Sequence, residues 1–584
     1  MRCSVWAPKA SRVELVYADS GERVPLAPRE RGYFAGEASR LQHGVRYGFS
    51  LDGGPVLPDP RSRFQPEGVH GPSEWFDFGA FQWTDHGFRP EALTSAVVYE
   101  LHVGTFSEEG TFDGVLQHLD HLVNLGVTHV ELMPVAAFPG RRGWGYDGVD
   151  WYAPHAAYGG PAGLMRLVDG CHARGLSVIL DVVYNHLGPS GNYLGQFGPY
   201  FSQRYGTPWG EAVNFDGPGS DEVRRFVCDN ALHWLRHYHI DGLRLDAVHA
   251  IFDQSALHVL EQMASEVAAL STELRKPLVL IAESNLNDPR FVRPATQGGF
   301  GLSSQWSDDF HHALRTLLTG DRSGYYEDFG SMNDLAEALR HGFVYRGRYS
   351  RHRGHSYGRE PAGLRGRHFH AFCQNHDQVG NRALGDRLGH SVTLGQLQIA
   401  AALTLLSPFV PMLFMGEEWG ASSPFRYFTD HSEPELAEAV RRGRRQEFQA
   451  FGWNPDQIPD PQADDTFEAS KLKWAEVSSE PHRMLLDWYQ KLIRLRRGEP
   501  SLLDDTLDKT RVELDERAGW LRLQRGELCI CVNFSDAERR LERSSLAPHE
   551  TSLQLLLASH RELALSDRAL VLPPHSVCVT AQGR

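Results

Sequence analysis

Hydrophobic and polar positions change rhythm twice along the chain. Up to residue 88, short alternating runs (CSVWAP, RVELVYA, YFAGEA, YGFSLDG) are separated by turn-rich stretches such as VLPDPRSRFQPEGVHGPS, which predicts a small β-sandwich over 1–88. Over 89–504, apolar runs alternate with helical patterns, as repeated βα units require. The runs are AVVYELHV (96–103), VTHVELMPV (127–135), LSVILDVVYNH (176–186), GLRLDAV (242–248), PLVLIAES (277–284), SSQW (303–306), HFHAFCQNHD (368–377) and VPMLFMGEEW (410–419). Eight such strands close a (β/α)8 barrel, so an α/β fold is expected. Short alternating strands return over 505–584 (WLRLQRGELCICVNFS, ALVLPPHSVCVT), predicting a terminal antiparallel β-domain.

The intervening helices are visible in the same pattern. EVRRFVCDNALHWLRHYH (222–239) sets Val223, Phe226, Val227, Ala231 and Trp234 on one stripe. SSQW is the least apolar of the eight runs, and the Arg-rich stretch 340–367 reads as a solvated insertion loop before the seventh strand.

Composition narrows the function classes. With 59 Lys+Arg against 74 Asp+Glu, the net charge of −15 argues against nucleic-acid or anionic-membrane partners. The longest apolar stretch, 401–415, is interrupted by Thr404, Ser407, Pro408 and Pro411 and falls short of the roughly 20 residues a membrane span needs. The first ten residues, MRCSVWAPKA, lack the apolar region of a signal peptide. The seven scattered cysteines read as free thiols of a reducing cytoplasm.

Barrel enzymes carry reactive groups at the carboxyl ends of their strands. Four runs end in such groups: Asp181 with Asn185 and His186; Arg244 with Asp246; Glu283; and Asn375, His376 and Asp377. A buried, unpaired carboxylate costs several kcal/mol, so four such ends on one rim point to chemistry rather than packing. Arg244 and Asp246 are two apart on a strand and share a face, so the guanidinium keeps Asp246 ionised, as a nucleophile requires. Glu283, crowded by like charges, is expected to be raised toward the range of a general acid. A charged and a protonated carboxylate, with a third to stabilise positive charge, suit an oxocarbenium-like transition state. Trp144, Tyr146, Trp151, Tyr152 and Tyr158 offer flat faces for a sugar, Tyr146 in the Gly-flanked WGYDG turn foremost. Sequences that would indicate a metal site (HExxH, paired CxxC, an EF-hand loop) or a phosphate loop do not occur. No cofactor and no metal are therefore expected.

DVVYNH (181–186), GLRLDAVH (242–249), IAES (281–284) and QNHD (374–377) resemble, in order, the four signature regions of the α-amylase superfamily of glycoside hydrolases. The resemblance implies Asp246 as nucleophile, Glu283 as acid/base and Asp377 as transition-state stabiliser. It implies that His186, Arg244, His249 and His376 bind the sugar at the cleavage subsite, that Tyr146 stacks on it, and that Asp181 supports them. Within the superfamily, VWAPKASRVELV (5–16), VYELHVGTFSEEGTFDGV (98–115), WGYDGVDWYAPHAAYGGP (144–161), NHLGPSGNYLGQFGPYF (185–201), QNHDQVGNRALGDRL (374–388) and PFRYFTDHSEPELAEAVRRGRR (424–445) resemble its trehalose-releasing members. That implies hydrolysis of the α-1,4 bond next to the terminal trehalose of maltooligosyltrehalose, with related α-1,4-glucans as possible ligands, downstream of the synthase that forms this substrate. Asp308, Asp309 and His311 after the sixth strand, and Gln378 and Asn381 after the seventh, resemble substrate-contacting loop residues. A retaining mechanism puts the Asp246 and Glu283 carboxyl groups about 5–5.5 Å apart. A glucan branching enzyme or a general α-amylase is the alternative, distinguished by its products.

Overall fold

The structure is a computed structural model that describes residues 2–449, 454–546 and 552–582. The outer limits drawn at 1 and 584, and residues 547–551 of the last zone, lie outside the described residues.

Seven antiparallel strands between Arg2 and Glu74 form one connected sheet. The connection is made by strand Arg23–Pro28, which pairs with Val13–Tyr17 through Arg23–Leu26 and with Tyr33–Glu37 through Ala27 and Pro28. That strand was not among the runs read from the pattern, because RVPLAP carries two prolines and one buried residue. The first strand, Arg2–Trp6, lies at the sheet edge and pairs with Tyr33–Glu37 along its whole length.

The eight apolar runs form a closed parallel barrel: β1 (Val98–Leu101), β2 (His129–Leu132), β3 (Ser177–Val182), β4 (Gly242–Leu245), β5 (Val279–Ala282), β6 (Ser304–Trp306), β7 (Phe369–Ala371) and β8 (Val410–Phe414). Seven of the eight predicted runs overshoot their strands at the carboxyl end, where the chain leaves the sheet to form the rim, and SSQW ends with its strand at Trp306. Val98, Ile179, Ile281, Trp306 and Met412 pack together in the barrel interior. Glu100 is in register with Glu131, and Glu131 with Ile179, so two carboxyl groups share that inner face.

The chain between sheet and barrel is strapped to the barrel's base. Trp83 stacks on His239 at 3.8 Å and Phe88 on His172 at 4.0 Å. Asp85 Oδ2 lies 2.7 Å from His172 Nδ1 and 2.8 Å from His239 Nδ1, and His172 Nε2 lies 2.9 Å from Asp241 Oδ2. Asp241 immediately precedes β4, so the imidazole of His172 joins the strap to the foot of a barrel strand.

Helix Ser220–His237 buries the predicted stripe and, in addition, Arg224, Cys228, Asn230, His233 and Leu235, since it is covered on more than one side. Stretch 340–367 is not a plain solvated loop. It contains the hairpin Arg346–Ser350/His355–Gly358, whose Arg346 pairs with Glu337 and Glu360 and whose Arg348 pairs with Asp334 at 2.9 Å. Beyond β8, helices such as His482–Gly498 precede a five-stranded and a three-stranded antiparallel sheet running from Arg511 to Gln582. One hydrophobic core continues from Cys3 in the first sheet through the barrel to Val579 in the last. All seven cysteines are free and buried. No helix among the described residues is long and apolar enough to cross a membrane.

Candidate active site

Arg244 organises the carboxyl rim. It is fully buried, and its Nη1 donates to both oxygens of Asp181 (3.0 and 2.8 Å) and to Asp246 Oδ1 (2.7 Å). Its Nη2 lies 3.9 Å from Glu283 Oε2. Asp246 and Glu283 thus sit on the two terminal nitrogens of one guanidinium. Register explains the convergence: Asp181 on β3 is paired with Arg244 on β4, and Asp246 and Glu283 lie one residue beyond β4 and β5.

The local backbone completes the arrangement. Asn185 Nδ2 donates to Asp246 Oδ2 at 2.8 Å. Ala247 occupies the left-handed region (φ +38°), which turns its N–H toward Glu283 Oε2 at 2.6 Å. A non-glycine residue held there is strained, and such strain persists only where the surroundings enforce it.

A cavity of about 380 Å³ opens over this group, lined by Asp246, Glu283 and Asp377 together with Tyr146, His186, His249, His376 and Asn381. Asp377 lies on the short helix His376–Gly380, capped by Asn375, and accepts from Asn381 Nδ2 at 2.8 Å. His376 is anchored from β1: its backbone N–H donates to Glu100 Oε2 (2.9 Å), and its Nδ1 lies 2.5 Å from Glu100 Oε1. Tyr146 is half-buried, and its hydroxyl is 2.6 Å from Asp181 Oδ2 and 2.8 Å from His376 Nε2. His186 stacks on Trp209 at 4.8 Å.

The electrostatics separate the carboxyl groups. Burial raises Asp246, but Arg244, His186 and Asn185 outweigh it and hold its carboxyl below the ordinary range. Glu283 is raised by burial and by the charges of Asp246 and Asp377, against the pull of Arg244. The surroundings thus favour charge on Asp246 and a proton on Glu283, which is the division of labour of a nucleophile and an acid. Asp308, half-buried at the start of helix Asp308–Thr319, is pushed up to about 8 by burial and then by Glu283 and Asp377, which places it within reach of the same charges.

Other expected contacts lie elsewhere. Asp309 is turned away from the cavity, its Oδ2 accepting from Asn287 Nδ2 and from the backbone N–H of Val344 and Tyr345 at 2.6–2.8 Å. Successive helical residues point about 100° apart, and here Asp309 is directed to the Asn287 and Val344–Tyr345 side of the helix. His311, 1% exposed, packs against Phe372 and does not line the cavity. Gln378 sits at the rim, where its Oε1 accepts from Tyr325 and Tyr326 at 3.3 and 3.5 Å. Of the five aromatics, Trp144 and Tyr146 line the cavity, whereas Trp151, Tyr152 and Tyr158 are core residues.

Sequence reasoning missed Glu100, Glu131 and Trp209. A carboxylate inside an apolar strand run was a readable signal for the first two. Trp209, at the turn between strands Phe201–Thr207 and Gly210–Val213, reaches the cavity by tertiary folding alone.

A closed parallel barrel with these carboxylates on its carboxyl rim defines a glycosidase of the α-amylase family, and the model for the alpha-amylase catalytic domain matches residues 81–198. The chain is 49% identical to a malto-oligosyltrehalose trehalohydrolase of Rhizobium sp. (strain M-11), covering 99% of this chain and 97% of that one. It is 50% identical to the protein of the same name from Mycobacterium tuberculosis, covering 91% and 92%. The chain belongs to the malto-oligosyltrehalose trehalohydrolase family. A crystal structure of a Salmonella typhimurium protein assigned to the alpha amylases superposes with a TM-score of 0.90 at 38% identity, covering 100% of this chain and 97% of that one.

Proposed function

We propose that the protein hydrolyses the α-1,4 bond next to the terminal trehalose unit of maltooligosyltrehalose, releasing trehalose and a shortened maltooligosaccharide with retention at the anomeric carbon. The observation that carries this reading is the pair of carboxyl groups held on a single buried guanidinium, one lowered and the other raised from its ordinary range.

In this reading Glu283 protonates the leaving glycosidic oxygen as Asp246 attacks the anomeric carbon, breaking the C–O bond and forming a glycosyl ester. Glu283, now a carboxylate, takes a proton from water, which opens the ester and restores both groups. Asp377 stabilises the oxocarbenium-like charge. Tyr146, His186, Arg244, His249 and His376 bind the sugar in the cleavage subsite, and Asp308, Gln378 and Asn381 lie at or near the rim where the trehalose end would sit. Asp309 and His311 act at one remove, through loop and core. The zones 1–88, 89–504 and 505–584 are the corresponding units. An enzyme that forms maltooligosyltrehalose acts upstream, and the unpaired thiols suit a reducing cytoplasm.

Product analysis tests the reading. Trehalose release from maltooligosyltrehalose, much faster than cleavage of an equal-length maltooligosaccharide, is expected. Equal cleavage of both would make it a general amylase, and new α-1,6 links in amylose would make it a branching enzyme.

A further inference from the structure

We infer that Glu100 is a positioning residue of this active site: by accepting both N–H groups that His376 presents to it, it keeps the imidazole doubly protonated and sets the direction of a hydrogen-bond chain ending at Asp246. The inference rests on the proposed hydrolase reading and deepens it.

The geometry fixes the direction of each link. Glu100 accepts from the His376 backbone N–H at 2.9 Å, and its other oxygen faces His376 Nδ1, so Nδ1 is a donor to a carboxylate. At the far side of the ring, Nε2 meets the Tyr146 hydroxyl at 2.8 Å. That hydroxyl has one proton, and Asp181 Oδ2 is 2.6 Å away. Arg244 donates to both oxygens of Asp181, so Asp181 is an acceptor already engaged as an anion. Tyr146 therefore donates to Asp181 and accepts from Nε2–H. Both nitrogens of His376 then carry protons, and the chain runs Glu100, His376, Tyr146, Asp181, Arg244, Asp246 without a clash of donors.

The charge on Glu100 decides this arrangement. The opposite one needs no additional proton: Asp181 would take the Tyr146 proton while Tyr146 received the Nε2 proton, leaving His376 neutral and Arg244 without one of its anions. Asp181, pushed up to about 7 by burial, is a ready destination for that proton. Burial lowers His376, and Arg244 lowers it further, but Glu100 outweighs both, helped by Asp377, whose Oδ1 is 3.8 Å from Nε2. The other groups that face the ring are uncharged: His102 is lowered by burial, and the rings of Trp144, Tyr146 and Trp306 pack around it. Glu131, in register with Glu100, is raised by burial and then by Glu100 and Asp181.

Glu100→Gln removes the charge and keeps the shape. With maltooligosyltrehalose as substrate, kcat is expected to fall at least tenfold with KM changed less, and the titration of the His376 ring, followed by NMR of its ring nitrogens, to move at least one pH unit lower. An unmoved His376 titration, whether or not kcat falls, would overturn the inference, because a merely structural Glu100 would not move it. If Glu100→Gln does not fold, a neutron structure of the wild-type protein decides: deuterium on both ring nitrogens of His376 is expected, and deuterium on only one would overturn it. Failure of the wild-type protein to release trehalose would instead refute the proposed function, while the neutron result would stand.

Discussion

Arg244 Nη1 lies 2.7 Å from Asp246 Oδ1, a contact between two residues that leave the same strand on the same face. The guanidinium is the main counterweight to the burial that would otherwise protonate Asp246. Arg244→Lys offers one point charge where a planar fork meets three carboxyl groups. The carboxyl of Asp246 should then rise, so the acid limb of kcat/KM should move to higher pH while activity falls. Titration of kcat/KM between pH 3 and 7 checks this, and an unmoved acid limb would count against the role given to Arg244.

Asp246→Asn keeps the hydrogen-bond pattern from Asn185 but removes the nucleophile. Turnover should drop by about 10⁴-fold or more, as loss of a covalent catalyst typically does. Circular dichroism and melting temperature should stay near those of the parent. A variant retaining more than a tenth of parent turnover would disprove the assignment.

Glu283 must be protonated to act first as an acid, and its carboxyl is raised. Activity should therefore be present below that raised pKa and be lost as pH climbs through it, while the acid limb reports Asp246. Glu283→Gln should lower turnover on the natural substrate by about 10²–10⁴-fold. A glucosyl fluoride, whose leaving group needs little protonation, should be much less affected in the first step. Burst measurement of fluoride release separates the cases.

Trp209 is 48% exposed yet lines the cavity and stacks on His186. Aromatic stacking contributes about 0.5–1.5 kcal/mol, so Trp209→Ala should raise KM by roughly two- to tenfold with a smaller effect on kcat. A KM identical to the parent's would remove Trp209 from the binding surface.

The strap predicts a stability effect. His172 is held above its ordinary pKa: burial lowers it, but hydrogen bonds to Asp241 and Asp85 outweigh that. A group whose folded pKa is raised stabilises fully below its unfolded value of about 6.5 and loses that contribution as pH rises through the folded value. Asp85→Ala, which leaves His172 with one acidic partner, should cost about 3 kcal/mol at pH 6 and less at pH 9. Urea denaturation at the two pH values measures the difference, and an equal loss at both would show that the charge on His172 is not involved.

Much of this was open to reading in one dimension. The eight barrel strands follow from apolar runs between helical patterns, and Arg244, Asp246 and Glu283 from polar residues at the ends of those runs. For Asp309 and His311 the spacing does not say which way each side chain turns: Asp309 is held by Asn287 and the backbone of Val344 and Tyr345, and His311 packs on Phe372. Strand Arg23–Pro28 was hidden by its prolines, and the hairpin inside 340–367 by its arginines, which are neutralised by Glu337, Asp334 and Glu360 from other segments.

Local chemistry along the chain thus settled which residues could react, since a carboxylate at the end of an apolar strand is too costly to leave without a partner or a task. The tertiary structure alone decided how those residues divide the work. Closing the barrel sets Asp181, Asp246 and Glu283 around one guanidinium and Glu100 against His376, and a carboxyl group's charge depends on distances and burial that exist only after residues hundreds of positions apart have met.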